Sequence, residues 1–150
     1  MKWIFAAIAF AAGALLPLQA LINARLGKQT AGALFASTCS FLVGTLALLA
    51  VLLVSRTPIP AVGSLQRLPG WVWLGGVLGA FFVFVATLAI PRIGAATMVA
   101  LVVAGQMIGA LLLDHYGVLQ APQLVTPGRV LGALMVLAGV FMVMQPWKTA

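Results

Sequence analysis

Five long apolar runs constrain the fold of this chain more than any other feature of its sequence. Each holds roughly 20 residues, the length at which an α-helix crosses a hydrocarbon core of about 30 Å. Backbone groups that face lipid need partners within their own segment, so open strands are excluded. The runs predict five transmembrane helices, approximately at residues 3–24, 31–54, 70–90, 94–113 and 127–145.

The composition agrees with lipid as the solvent. Hydrophobic residues make up 64% of the 150 residues and charged residues only 6%, whereas a soluble domain is about 25% charged. The connections between the runs are too short to hold a soluble domain. We therefore predict an all-α, polytopic integral membrane protein with a single transmembrane domain over residues 1–150.

The first run has two interpretations. It resembles a cleaved signal peptide, which has a basic start, an apolar stretch and a cleavage site. These parts correspond to Lys2, the apolar run and the segment Leu18-Gln19-Ala20. The four further runs favour a retained first helix that acts as a signal anchor.

The eight Lys and Arg residues stand singly in or beside the connections. With no basic stripe, nucleic-acid binding is not expected, and anchoring to lipid head groups is the better interpretation. An odd number of spans puts the two termini on opposite faces. The cations then divide equally, with Lys2, Arg56, Arg67 and Arg129 on the N-terminal face and Arg25, Lys28, Arg92 and Lys148 on the other.

This balance removes the usual signal for orientation. Membrane proteins normally keep an excess of Lys and Arg in their cytoplasmic loops. Its absence predicts insertion in both directions and an antiparallel homodimer, in which two copies reproduce the inverted repeat of many transporters. The alternative is that hydrophobicity or the N-terminal amine selects one orientation.

Uncharged amides within the apolar runs are the candidate substrate contacts. Gln19 and Asn23 are four residues apart and so share one face of the first helix, and Gln106 lies in the fourth. Pro17 adds an acceptor, because it cannot donate a hydrogen bond to the carbonyl of Gly13. Amides also bind neighbouring helices, so a packing role stays open for all three.

Small residues predict where helices pack. In the second helix, the trio Thr38, Cys39 and Ser40 is interpreted as structural, since hydroxyls bond back to their own helix. Glycines four residues apart allow close helix contact. The glycine pairs are Gly75 with Gly79, Gly105 with Gly109, and Gly128 with Gly132.

Asp114 is the only carboxylate of the chain, so with its neighbour His115 it is the candidate for proton coupling. Its place at a helix end, away from the membrane midplane, favours a cap, an ion pair with Arg or a lipid contact over that role. No catalytic triad, metal-ligand cluster, phosphate loop or acid pair occurs. We therefore expect no enzyme activity, no metal and no cofactor.

Several segments together resemble the YdcZ-like five-helix family of bacterial inner-membrane proteins, a branch of the drug/metabolite transporter superfamily. The segments are PLQALINARLG at 17–27, PRIGAA at 91–96, Gly105-Gln106, DHYG at 114–117 and GRVLG at 128–132. The resemblance implies a multi-pass inner-membrane transporter of small organic molecules. Small four-helix relatives use a membrane glutamate for proton exchange, and this chain has none, so that coupling is not carried over.

The leading hypothesis is a small-solute transporter that works by alternating access as an antiparallel homodimer. Its site between copies would be lined by Gln19, Asn23 and Gln106. The expected partners are a small organic solute, membrane lipid and an inverted second copy. Two alternatives stay open, a regulatory subunit of a larger membrane protein and a passive channel.

Overall fold

The computed structural model describes residues 2–145 and contains, within that range, helices and no strand. The helices are α1 (Lys2–Gln29), α2 (Ala33–Val54), α3 (Val62–Leu65), α4 (Leu74–Ile93), α5 (Ala95–Tyr116) and α6 (Pro127–Met144), and a 3₁₀ turn at Gly70–Trp73 leads into α4. Five of them, all except the short α3, are long and apolar enough to cross a membrane. The prediction of an all-α protein with five spans is confirmed. Lys148, which entered the charge balance, lies outside the described residues.

Helix α1 continues past the predicted end at residue 24 as far as Gln29. The sequence from Arg25 onward leaves the apolar run, but Arg, Lys and Gln are good helix formers. Lys28 also lies in the last turn, where a cation is stabilised by the helix dipole. The polar residues therefore mark the edge of the apolar segment rather than the end of the helix.

Helix α4 likewise runs through Pro91 to Ile93, where a break was expected. Proline removes one helical hydrogen bond, which a helix tolerates near its end. The break falls at Gly94, whose φ of 80° and ψ of 157° lie in a region open essentially only to glycine. At the other end of α5, Gly117 forms a left-handed cap with φ 63°.

The chain divides after Arg92 into two compact units. In the first, α1 packs against α2, and the buried positions are filled mostly by small side chains three or four residues apart. They are Ala20, Asn23 and Ala24 in α1, Ala36 and Ser37 in α2, and Ala86, Thr87 and Ile90 in α4. Small residues at this spacing let helix backbones approach closely.

In the second unit α5 packs against α6. Its buried side chains are Met98 and Ala104 in α5 and Ala133 and Val140 in α6. That the two units form the single transmembrane domain expected from sequence stays a prediction.

Large apolar side chains cover the outside of the spans. Among residues 2–145, no large side chain is completely buried, and side chains such as Leu42, Leu48 and Met135 are 59%, 71% and 68% exposed. Water would disfavour such a surface by about 25 cal/mol for each Å² of apolar area. Hydrocarbon does not, so this surface fits contact with lipid.

Candidate functional site

The turn between α1 and α2 sets these two helices side by side. Gly32 has φ 96° and ψ −175°, a conformation that disfavours every residue with a Cβ. Its N–H donates to the carbonyl of Gly27 at 3.2 Å. A Cβ on Gly27 would lie 3.2 Å from the carbonyl carbon of Gly32. Two glycines thus permit the close backbone approach on which the α1–α2 hairpin depends.

An open groove of about 390 Å³ runs along this hairpin, and we name it the amide groove. Most of its wall is apolar. The lining residues are Leu15, Leu18, Gln19, Ile22, Asn23 and Leu26 from α1, and Cys39, Ser40 and Val43 from α2. Small-molecule sites commonly combine an apolar wall with a few fixed polar groups, and the amides of Gln19 and Asn23 supply those groups here.

Asn23 is the unusual member of this wall. Its side chain is only 4% exposed, and its Nδ2 has no hydrogen-bond partner within the described residues. Buried polar atoms are nearly always paired, and leaving one unpaired costs about 1–3 kcal/mol. Asn23 is therefore a buried donor without a partner within residues 2–145, on the wall of an open groove and one turn from the exposed amide of Gln19.

The spacing of Gln19 and Asn23 predicts a shared helix face, and the structure places both on the amide groove. Gln106 lies on α5 in the second unit, where its side chain is exposed. Its participation in a substrate site stays a prediction.

The trio in α2 divides between two roles. Thr38 donates its hydroxyl to the carbonyl of Leu34 at 3.0 Å, which is the structural role expected from sequence. Cys39 and Ser40 line the amide groove instead. Ser40 follows the buried Ala36 by one helical turn, but the sequence alone does not show that this face of α2 turns toward α1.

A buried polar contact between α2 and α4 escaped sequence reasoning. The Ser37 hydroxyl lies 3.5 Å from that of Thr87, and the two side chains are 5% and 2% exposed. Each hydroxyl also donates within its own helix, Ser37 to Ala33 at 2.8 Å and Thr87 to Val83 at 2.7 Å. These groups are satisfied without a ligand, in contrast to Asn23.

Asp114 lies in the last turn of α5 at the centre of a group that we call the Asp114 cluster, formed with Gln120, Gln123 and Arg129. Its carboxylate pairs with Arg129 at 3.3 Å and accepts a hydrogen bond from Gln120. Arg129 also donates to the Gln123 side chain at 3.0 Å, and the Gln123 backbone N–H donates to the Asp114 carbonyl at 2.8 Å. This pairing supports the ion-pair alternative for Asp114.

His115, the second candidate for proton coupling, is exposed. Its ring meets that of Tyr116 edge to face, with centroids 5.2 Å apart. Proton coupling through Asp114 and His115 stays a prediction. Across residues 2–145, no three His, Cys, Asp or Glu side chains gather as a metal-binding group.

The six glycines of the predicted packing motifs differ in their surroundings. A Cβ on Gly79 would lie 3.6 Å from the ring of Phe41, so α4 approaches α2 there. The other five have nothing within 4 Å of an added Cβ, namely Gly75, Gly105, Gly109, Gly128 and Gly132. Their role in helix packing stays a prediction, and within residues 2–145 alanines occupy more of the buried positions than these glycines.

Comparison with known proteins gives a relationship over nearly the whole chain. The family described as "Putative inner membrane exporter, YdcZ" matches residues 4–142. The "Inner membrane protein YdcZ" of Escherichia coli (strain K12) is 29% identical over 137 residues, which cover 91% of this chain and 92% of that relative. No solved structure matches.

These matches confirm the resemblance to the YdcZ-like family. With the five apolar spans, they establish a multi-pass location in the inner membrane, and the family description supports a membrane transporter. The chain belongs to the YdcZ family of inner-membrane proteins.

Proposed function

We propose that this chain transports a small organic solute and that the amide groove is its binding site. The observation that carries the proposal is the buried, unpaired Nδ2 of Asn23 on the wall of that groove. A bound solute with a hydrogen-bond acceptor pairs with this atom. Binding then removes the free-energy penalty of the unpaired donor, and this gain contributes to affinity.

The lining indicates the class of solute. Its polar groups are two amides, a hydroxyl and a thiol, and no charged side chain belongs to it. The volume of about 390 Å³ lies within the range of ordinary small-molecule pockets. We therefore propose a neutral or weakly polar organic molecule with an acceptor for Asn23 and an apolar body for the leucines.

The working unit that we propose is an antiparallel homodimer, in which alternating access exchanges equivalent inward-open and outward-open states. The equal division of cations between the two faces supports it. Lys28 and Arg92 line one groove, as expected if the ends of α1 and α4 share a membrane face. In this dimer Gln106 would complete the site.

Transport by purified protein in liposomes tests the site. The wild type should show saturable flux that rises when unlabelled solute is present on the opposite side. Asn23→Leu and Gln19→Leu should each lower transport efficiency about tenfold, the effect of one lost neutral hydrogen bond. Thr38→Val is the matched control, since Thr38 bonds to its own helix and lies outside the amide groove.

The outcomes separate the proposal from its alternatives. Flux without saturation or trans-stimulation indicates a passive channel. Absence of flux, together with specific crosslinking to another protein in native membranes, indicates a regulatory subunit. Equal flux in all variants refutes the amide groove as the site.

Orientation needs a separate experiment. Cys39 is the only cysteine, so Cys39→Ala gives a background in which Ser64→Cys, in the exposed short helix α3, is the single label site. Impermeant reagent should reach part of the population from each side of the membrane. Labelling from one side only would refute dual topology.

A further inference from the structure

A second groove, of about 340 Å³, lies at the end of α1 and α4. We name it the basic groove. Its wall carries two cations, Lys28 and Arg92, and no carboxylate, and its remaining residues are Ala24, Gly27, Ala33, Thr87, Leu88 and Pro91. None of these residues belongs to the amide groove.

Within residues 2–145, no acidic side chain pairs with either cation. Asp114 is the only acidic residue, and it pairs with Arg129. Lys28 is exposed in the last turn of α1. Arg92 donates one hydrogen bond to the carbonyl of Leu88 on its own helix, which positions the guanidinium and leaves its other N–H groups available. Two cations therefore face one concave wall without neutralisation.

We infer that the basic groove binds a phosphate group, held by Arg92 through paired N–H donors and by Lys28 as a point charge. Arginine matches the geometry of phosphate oxygens, and lysine adds charge without directional demand. Both cations lie in the last turn of a membrane-spanning helix, the depth at which lipid phosphates are found. Ala24, Ala33 and Leu88 offer an apolar wall to whatever carries the phosphate.

This inference does not rest on the proposed solute site, because the basic groove shares no residue with the amide groove and binds a different ligand chemistry. The phosphate has two sources, the head group of an anionic phospholipid or a soluble phosphate. Each is one arm of the same experiment.

The experiment measures the thermal midpoint of protein purified in an uncharged detergent. One arm titrates short-chain phosphatidylglycerol, with diacylglycerol of the same chains as the control that lacks phosphate. The other arm titrates inorganic phosphate. A rise in the midpoint reports binding to the folded state.

The test variant is Lys28→Gln with Arg92→Gln, and the matched control is Lys2→Gln with Arg56→Gln. The control removes the same charge from residues that do not line the basic groove. The test variant should bind about 30-fold more weakly, and each of its single substitutions about fivefold. The control should change affinity less than about threefold, because distant exposed charges are screened by salt.

A phosphatidylglycerol response that depends on Lys28 and Arg92 identifies a lipid site, and an inorganic phosphate response with the same dependence identifies a site for a soluble anion. The single substitutions give the answer if the double variant does not fold. Equal losses in test and control variants overturn the inference. So does an equal response to diacylglycerol, or no response in either arm.

Discussion

The amide groove and the Asp114 cluster differ in the burial and the hydrogen bonding of their polar groups. In the Asp114 cluster, the carboxylate, the guanidinium and both glutamine side chains bond to one another, and the residues are wholly or partly exposed. In the amide groove, Asn23 is 4% exposed, and its Nδ2 has no partner within residues 2–145. The more deeply buried polar group is the less satisfied one.

Stability alone favours the reverse arrangement, since an unpaired polar atom costs most where water is absent. The Asp114 cluster therefore has the properties of a structural tie between α5, its loop and α6. The amide groove is the surface that we propose binds a ligand.

The largest effect is expected from removing the amides of both regions in turn. Gln19→Leu with Asn23→Leu should lower transport efficiency about a hundredfold, because two hydrogen bonds to the solute are lost. Gln120→Ala with Gln123→Ala, which removes two amides from the Asp114 cluster, should lower it less than about threefold. Liposome flux measures both. Similar losses in the two variants would contradict the claim that the amide groove binds solute and the Asp114 cluster does not.

The hairpin that builds the amide groove should be sensitive at Gly32. Gly32→Ala puts a Cβ on a backbone with φ 96°, at a cost of about 1–3 kcal/mol in the free energy of unfolding. Gly13→Ala is the control, since an added Cβ there meets nothing within 4 Å, and it should be neutral or stabilising by up to about 1 kcal/mol. Unfolding by titration with a denaturing detergent provides the comparison, and equal effects would contradict the strain at Gly32.

Asp114→Asn should lower the free energy of unfolding by about 1 kcal/mol and leave transport nearly unchanged. The ion pair with Arg129 is partly exposed, with side-chain exposures of 39% for Arg129 and 23% for Asp114, so its contribution is modest. Flux and unfolding are measured on the same preparation. Loss of flux at unchanged stability would instead assign the carboxylate to proton coupling.

Ser37→Ala should have the smallest effect, less than about 1 kcal/mol. The Ser37 to Thr87 distance of 3.5 Å is at the limit of a hydrogen bond, and the Thr87 hydroxyl keeps its bond to Val83. A double-mutant cycle with Thr87→Val isolates the pair. A coupling energy above about 2 kcal/mol would show that this contact holds α2 and α4 together.

The five spans were predictable because the apolar runs are long and a membrane demands closed backbone hydrogen bonding. Helix ends were less predictable. Arg25 ends an apolar run but not a helix, and Pro91 is accommodated inside α4 because the conformational break lies at Gly94. In α1, the polar residues from Arg25 onward mark the end of the apolar segment and not the end of the helix. After α4, the conformation of Gly94 marks the end of the helix.

Part of the amide groove was also predictable. The spacing of Gln19 and Asn23 placed both on one face, because helix periodicity is local information. The other wall, with Cys39 and Ser40, depends on how α2 turns toward α1, which Gly27 and Gly32 determine through a close backbone contact. Such a contact leaves no pattern in the apolar runs. The missing hydrogen-bond partner of the Asn23 Nδ2 leaves none either.

The most direct test of the account is the free energy of unfolding of Asn23→Leu in the absence of solute, measured beside its transport. An amide kept for a ligand contributes nothing to the empty fold, so the variant should be as stable as the wild type or more stable by about 1 kcal/mol, while transport falls. A loss of stability of about 2 kcal/mol with transport preserved would show that Asn23 holds the helices together instead.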